Sequence, residues 1–391
     1  MNTQGDTDNR LYLPNLYIMK FDLKQLKLLA TTPYDELQTV FPGVPRRTLL
    51  SMKRKYLDNL SVEERIKMDI DKLKDPDLPK RYKATLNQVK ELERMVEEAF
   101  KLKNPLQTFK IEPHQSSGTS EAVAFIIASD WHVEEKVESG TINGLNKFNL
   151  EIADQRTTEF FKNALRLLNM VNKDVKIKEV VLALLGDFIS GNIHDEIVEL
   201  ALLGPGDAIW KAQNIIISGI NFLLENTDYN FIIPCAPGNH SRITQKQRHA
   251  TEQANSLETY MYRNLAMHYK DNKRVKFVLS EGYHTYLDCY GYTVRLHHGH
   301  SLNYGGGVGG LTIPVNKAIA QWNKSRPAYL DVFGHWHQFM DGGNFICNGS
   351  LIGYNAYALS IKAGFEKPKQ TFFLLDKKRG KTVVCPISFK I

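Results

Sequence analysis

An α/β fold preceded by a small all-α domain is what the sequence predicts, on three observations. Unbroken apolar runs end on a carboxylate, amide or imidazole, usually beside a glycine; helical stretches separate those runs; and residues 1–60 carry helix signals only. The clearest run is Val180-Val181-Leu182-Ala183-Leu184-Leu185-Gly186-Asp187. Aliphatic and β-branched residues without polar alternation suit a parallel strand covered on both faces. Gly186 permits a tight turn and leaves Asp187 at the strand's carboxyl end, where open α/β sheets bind ligands.

The totals agree with this reading. A chain of 391 residues, 42% apolar, has room for one large domain and an appendage. Its net charge of +7 only mildly favours a polyanionic partner. Cys235, Cys289, Cys347 and Cys385 have no C-x-x-C spacing and read as reduced, structural thiols. Met1 to Arg10 carry no apolar leader, and no apolar run is long enough to span a bilayer. A cytoplasmic protein without a membrane partner is expected.

In chain order, Asp22 to Ala30 and Thr32 to Phe41 read as short helices, the second opened by Thr32 as N-cap and Pro33 at its first position. After the forced turn Phe41-Pro42-Gly43-Val44-Pro45, a third helix from Pro45 to Leu57 carries Arg46, Arg47, Lys53, Arg54 and Lys55. Arg46 and Lys53, and likewise Arg47 and Arg54, share a helix face, while Leu49, Leu50 and Tyr56 turn inward. The pattern suits a helix-turn-helix-like DNA-binding module, and equally a helical cap whose cations are solvated. Residues 61–118 read as a charged connector, broken by Pro76 and Pro79. It ends in an amphipathic helix over 85–103 with Leu86, Val89, Leu92, Val96 and Phe100 on one face. That helix suits packing on the larger domain or pairing with its copy in a homodimer. Polar residues from Pro113 to Ser120 mark the boundary, giving domains 1–60, 61–118 and 119–391.

The last domain opens with the strand Ala122 to Ala128, which stops at Ser129-Asp130-Trp131-His132. A helix from Leu150 to Val171 leads to the Asp187 strand, and another from Ala208 to Asn226 to a strand ending in Pro237-Gly238-Asn239-His240. Tyr292 to Leu296 ends in His297-His298-Gly299-His300, and Tyr329 to Phe333 in Gly334-His335-Trp336-His337. Thr371 to Leu375 and Thr382 to Pro386 read as strands closing a second sheet. A single such tip is usually an N-cap or a solvated histidine. Five in one order point to a shared site.

The ordered set Asp-x-His, Gly-Asp, Gly-Asn-His, His-Gly-His and Gly-His-x-His, across about residues 121 to 360, resembles the calcineurin-like metallophosphoesterases. More loosely it resembles phosphoesterases carried by phages and SbcD-type repair exonucleases; a phage origin would make the compartment the host cytoplasm. The resemblance implies a four-layer α/β/β/α sandwich. It also implies a dinuclear centre with Asp130, His132 and His337 on one cation, Asn239, His298 and His335 on the other, and Asp187 bridging. His240 would be an unliganded catalytic histidine. His298 is preferred to His297 because the family's ligand directly precedes the glycine, and Ser241 stands where many members carry an acidic residue.

Oxygen and imidazole donors without thiolate suit Mn²⁺ first, with Fe²⁺, Zn²⁺ or Mg²⁺ as alternatives. Two such ions about 3.5–4 Å apart clamp the attacking and departing oxygens of an in-line displacement, and a protonated histidine can then neutralise the leaving alkoxide. His194, Asp195, Arg242, His300 and Tyr304 follow the ligand loops and are candidate substrate contacts; Tyr304, Trp322 and Trp336 are candidates for stacking on a base. Packing or solvent exposure is the alternative for each. Gly305 to Gly310 fits G-x-G-x-x-G but lacks a βαβ context and reads as a loop over the site. The expected function is a metal-dependent phosphodiesterase acting on DNA; a phosphatase, a small-molecule phosphodiesterase and a metal-free scaffold are the alternatives.

Overall fold

In the computed structural model of the chain, residues 21–60, 109–111, 120–303 and 310–389 are described, with isolated positions at 64, 87, 90 and 91. The chain divides into two units, Met1–Arg94 and Met95–Ile391. Almost all of the helix expected over 85–103 lies outside the described residues, as does Tyr304.

In the first unit, α1 (Leu23–Thr31) starts at a reciprocal cap: Asp22 Oδ1 accepts from Gln25 N at 2.7 Å, and Asp22 N donates to Gln25 Oε1 at 2.9 Å. The next helix, α2 (Leu37–Val40), is shorter than the sequence suggests. Thr32 closes α1 instead of opening α2, because both its hydroxyl (2.7 Å) and its N–H (2.9 Å) donate back to the Leu28 carbonyl. The third helix, α3 (Arg46–Asn59), packs Leu49 onto Leu29, Leu37 and Val44 in a small core. Lys53 departs from expectation: it is buried, with its ammonium on the Thr32 carbonyl and 4.4 Å from the Tyr34 ring. That lysine braces the loop between α1 and α2 and drops out of the set proposed for phosphate contact. Arg46, Arg47, Arg54 and Lys55 remain exposed.

Among its described residues the second unit contains two six-stranded sheets. One runs in the order β12 (Gly380–Ser388), β11 (Lys369–Asp376), β2 (Glu121–Ala128), β3 (Lys176–Leu184), β4 (Asn230–Cys235) and β5 (Val275–Leu279), with β2 to β5 mutually parallel. The other runs β1 (Phe109–Ile111), β6 (Thr285–Cys289), β7 (Tyr292–Leu296), β8 (Leu330–Phe333), β10 (Phe345–Cys347) and β9 (Met340–Asp341), with β7, β8 and β10 parallel.

Side-chain alternation builds the layers. On β2, Ala124, Ile126 and Ala128 join an apolar layer with Phe160, Ala164 and Leu168 of α4 (Leu150–Val171); α5 is Asp195–Leu200, and Ile216 and Ile220 of α6 (Pro205–Asn226) lie in that same layer. Val123, Phe125 and Ile127 face the other way and form the layer between the sheets with Leu287, Val294 and Val332. Behind the second sheet, Phe333 and Phe345 share a third layer with Val315 and Ile319; α7 is Leu257–His268, and these two residues belong to α8 (Thr312–Trp322). The stacking is therefore helix, sheet, sheet, helix.

The two carboxy-terminal strands correct the sequence reading: they extend the first sheet, where β11 lies antiparallel to β2. Phe372 and Leu374 fill the helix-facing layer, and Phe373 and Leu375 the inter-sheet layer. A strand apolar on both faces belongs inside a sheet. Phe373 stacks on Phe125 with ring centroids 4.3 Å apart. Beyond β10, the loop at 351–354 is fastened by buried Arg156 of α4, whose Nη1 donates to the carbonyls of Leu351 and Ile352 at 2.8 Å each. Among the described residues no helix is long and apolar enough to cross a membrane, and the four cysteines are free.

Phe373→Ala should cost about 3–5 kcal/mol by loss of transfer energy and cavity creation. Chemical denaturation followed by circular dichroism measures this, and a loss below about 1 kcal/mol would contradict its central placement.

Candidate metal centre

Five strands deliver the chemistry. The carboxyl ends of β2, β3 and β4 carry Asp130 and His132, Asp187, and Asn239 and His240; those of β7 and β8 carry His298, and His335 with His337. The backbone at these tips is unusual. Asp130 (φ 55°), His132 (49°), Asp187 (53°), His335 (69°) and His337 (54°) all occupy the left-handed region, at a cost of roughly 1–2 kcal/mol per non-glycine residue. Such strain persists where surrounding structure over-determines it, typically at functional sites. Glycine is required beside Asp187: a Cβ on Gly238 would lie 2.0 Å from Asp187 Oδ1, and one on Gly186 2.2 Å from Gly238 N.

Two groups of donor atoms result, each within 4.8 Å of one another: Asp130, His132 and His337, and Asp187, His298 and His335. His337 Nε2 is 3.4 Å from Asp130 Oδ1, and His298 Nε2 is 2.8 Å from Asp187 Oδ2 and 3.3 Å from His335 Nδ1. Backbone N–H groups hold both carboxylates: His335 N donates to Asp130 at 2.9 and 3.0 Å, and His240 N to Asp187 Oδ1 at 2.9 Å. Asn239 and His240 line the same cavity as His132, Asp187, His335 and His337.

The residues present fit divalent cations. His132 Nε2 and Asn239 Oδ1 are buried with no hydrogen-bond partner, an expense that a bound cation would offset. The donors are carboxylate, amide and imidazole, a set for hard or borderline ions. Outer partners fix the rings as ligation requires. His298 Nδ1 donates to the Leu185 carbonyl at 2.6 Å, turning Nε2 toward Asp187. Ser190 Oγ donates to Glu135 Oε2 at 2.8 Å and so accepts from His132 Nδ1 at 2.9 Å, which leaves the His132 Nε2 lone pair facing the site.

Protonation follows from the same contacts. Burial, helped by His240 and His337, holds His132 well below its usual range. Burial and then His298 do the same to His335. Burial also pulls on His298, but the Asp187 and Asp130 carboxylates and the Leu185 carbonyl raise it to about 10. Asp187, which burial alone would raise, is held well below the usual carboxylate range by His298 and His240. Without a cation, the proton of His298 therefore faces Asp187.

Several supporting residues escaped the sequence reading. Glu258 on α7 is buried; its carboxylate accepts from Phe188 N (2.6 Å), Gly238 N (2.7 Å) and Ser241 Oγ (3.2 Å), tying the β3 and β4 tips together. Burial, then Asp187, raises it to about 7. Its place on α7, outside every ligand motif, gave no sequence signal. Glu134 accepts from Ser190 N (2.7 Å) and Gly191 N (2.9 Å), fixing the turn after Asp187. Asn348 donates to Ser129 Oγ at 2.8 Å, and Ser129 in turn donates to Asp130.

The candidate substrate contacts divide. His194 lines the cavity. Arg242 spends Nη1 on the Asn239 carbonyl at 2.7 Å. His300 is closed off, its side chain 3% exposed and 2.8 Å from Glu252, so the contact expected of it is not open. His297 is outside both donor groups, stacked on Phe333 (5.1 Å) beside Trp322 (5.1 Å). Trp322 packs there, 5.1 Å from the Arg295 guanidinium, whereas Trp336 lines the cavity.

No protein-family model matches the sequence, and no curated protein is significantly similar to it. Among solved structures, the chain is similar to a hypothetical protein from Pyrococcus horikoshii (11% identity, 68% of this chain and 89% of that one, TM-score 0.34). It is also similar to a dimetal phosphatase from Danio rerio (9%, 68% and 99%, 0.31) and to Vps29 from Chaetomium thermophilum (9%, 69% and 100%, 0.29). By its own architecture the second unit is two facing sheets between helices, with two candidate cation sites at the strand tips.

An imidazole held above its ordinary value keeps its proton at neutral pH, so a cation must displace it. Affinity for Mn²⁺ should therefore rise with pH, by about tenfold per unit for each proton released, through roughly pH 6 to 9. Calorimetric titration in buffers of differing ionisation enthalpy measures the release; pH-independent binding would contradict the protonated Asp187–His298 pair.

Proposed function

We propose that the chain is a metal-dependent phosphoesterase that hydrolyses phosphodiester bonds. The observation that carries this reading is the pair of adjoining donor groups, Asp130, His132 and His337 beside Asp187, His298 and His335, with Asn239 Oδ1 and His132 Nε2 left without partners. Asp130, His132 and His337 would hold one ion, Asn239, His298 and His335 the other, with Asp187 shared. When bound, two divalent ions would supply Lewis acidity to the phosphoryl oxygens and lower the pKa of a water.

The chain's own groups do the rest. His240 lines the cavity, and its Nδ1 lies 2.9 Å from the Ser190 carbonyl. A carbonyl only accepts, so Nδ1 carries a proton, and Nε2, once the ring has taken a second proton from solvent, is the atom that would hand one to a leaving alkoxide and return the ring to its neutral form. Asp187, accepting the His240 N–H on Oδ1, fixes that loop beside the donor groups. A diester is favoured over a monoester by charge. Among the described residues lining the cavity the only lysine or arginine is Lys136, which is paired with Glu138. No other lysine or arginine among the described lining residues complements the second charge of a monoester.

A nucleic acid as the diester is a second reading, supported by exposed Arg46, Arg47, Arg54 and Lys55 on α3 and by the net charge of +7. Phosphate contacts of that kind would make binding steeply salt-dependent.

With Mn²⁺ and bis-p-nitrophenyl phosphate, His240→Ala should retain both ions while kcat falls about 10²–10⁴-fold; Asp187→Asn should lose both ions and turnover. Metal content by plasma emission spectrometry alongside kinetics decides it, and an unchanged kcat in His240→Ala would remove that histidine from the chemistry. For the second reading, the full chain with Arg46, Arg47, Arg54 and Lys55 all changed to Ala should bind duplex DNA with a shallower dependence on log salt. Identical affinity and slope in the parent and the variant would sink the DNA reading.

A further inference from the structure

The cavity that holds the donor groups extends well past them. Its volume of 670 Å³ falls in the range that holds small organic ligands, about 300–1,000 Å³, whereas a phosphoryl group alone would fill only a corner. Away from the metal ligands the lining is largely apolar and aromatic, with Ile197, Leu200, Trp336, Tyr354, Tyr357 and Ile361. Charge on this wall is one-sided. Glu135, Glu138, Glu196 and Glu366 line it; Glu138 is paired with Lys136, the one lysine or arginine among the described lining residues, and Glu366 with Lys369 at 2.8 Å, so Glu135 and Glu196 set the sign of the wall.

The wall is also built, not incidental. Asn146 Nδ2 donates to the carbonyls of Ile352 and Tyr354 at 2.8 Å each, and Arg156 donates to Leu351 and Ile352 behind them. Asn355, which caps α9 (Ala356–Ser360) through Ala358 N at 3.0 Å, also donates to Glu135 Oε1 at 3.0 Å. Glu135 reaches His132 through Ser190. One hydrogen-bonded chain thus joins the far wall to a metal ligand and fixes the distance between them.

Resting on the phosphodiesterase reading above, we propose that this chamber binds one organic group of the ester, and that this group is uncharged and ring-bearing, of nucleoside size, with no second phosphate on it. Apolar and aromatic surface favours a flat, weakly hydrated group. A further phosphate would meet carboxylates with no free cation among the described lining residues to offset them.

Three diesters with the same leaving group test this: methyl p-nitrophenyl phosphate, thymidine 5′-(p-nitrophenyl phosphate), and the latter carrying a 3′-phosphate, each with Mn²⁺ and the full chain. The thymidine ester should show kcat/KM at least about tenfold above the methyl ester, chiefly through KM, and the 3′-phosphate should abolish the gain. Ala358→Trp, whose indole would take up space at the chamber wall, should lower kcat/KM of the thymidine ester to that of the methyl ester measured with the same variant. Glu196→Lys, at an exposed position, should restore turnover of the phosphorylated ester. Equal kcat/KM for methyl and thymidine esters, or a phosphorylated ester that is preferred by the unaltered protein, would overturn the proposal while the hydrolase reading stands. No turnover of any of the three would overturn both.

Discussion

Everything at the strand tips depends on keeping Asp187 buried and ionised. Removing a carboxylate from water is costly unless charge and hydrogen bonds replace the lost hydration. Here the His240 N–H and the His298 imidazole do so directly, and Glu258 holds together the loops that carry Asp187 and His240. Glu258 is itself buried close enough to Asp187 to be raised by it. Like charges in one small space create a demand for cationic partners, which histidine protons meet in part and divalent ions can meet fully. The two facing sheets matter because Asp187 comes from one and His298 from the other, so the pair forms only when both sheets pack.

Much of this was legible in the sequence, for a simple reason. Strands buried on both faces read as unbroken apolar runs, and the residues that break them stand out against that background. Val180 to Leu185 announced both the strand and the place of Asp187, and helix α4 spans the expected residues, Leu150 to Val171. Where the reading went astray, tertiary contacts outweighed local pattern. Thr32 has the chemistry of a cap, but nothing local says which helix it will serve. Lys53 looked like a surface cation by type and spacing, yet its amine finds a carbonyl and a ring in the adjoining loop. The carboxy-terminal strands gave no hint of their sheet, since pairing partners are not written in a strand's own residues.

The supporting shell was the least visible. Glu258, Glu134 and Asn348 are polar residues without a motif, and each acts by accepting or donating at a backbone group or hydroxyl brought close only by the fold. His297 and His298 illustrate the same limit from the other side. Adjacent and identical in type, they end in unlike surroundings because alternate residues leave a strand on opposite faces. One meets Asp187; the other lies against Phe333 and Trp322.

The left-handed backbone at Asp130, His132, Asp187, His335 and His337 has a bearing on any attempt to dissect the centre by mutation. Alanine tolerates that conformation poorly, so alanine scanning would perturb main chain and ligand together and overstate the worth of the side chain. Asparagine accepts it more readily, which makes an amide the cleaner replacement at the two aspartates. Glycine would relax the loop altogether: a protein altered in that way could melt higher than its parent while coordinating less, a trade of firmness against reactivity built into the turns themselves.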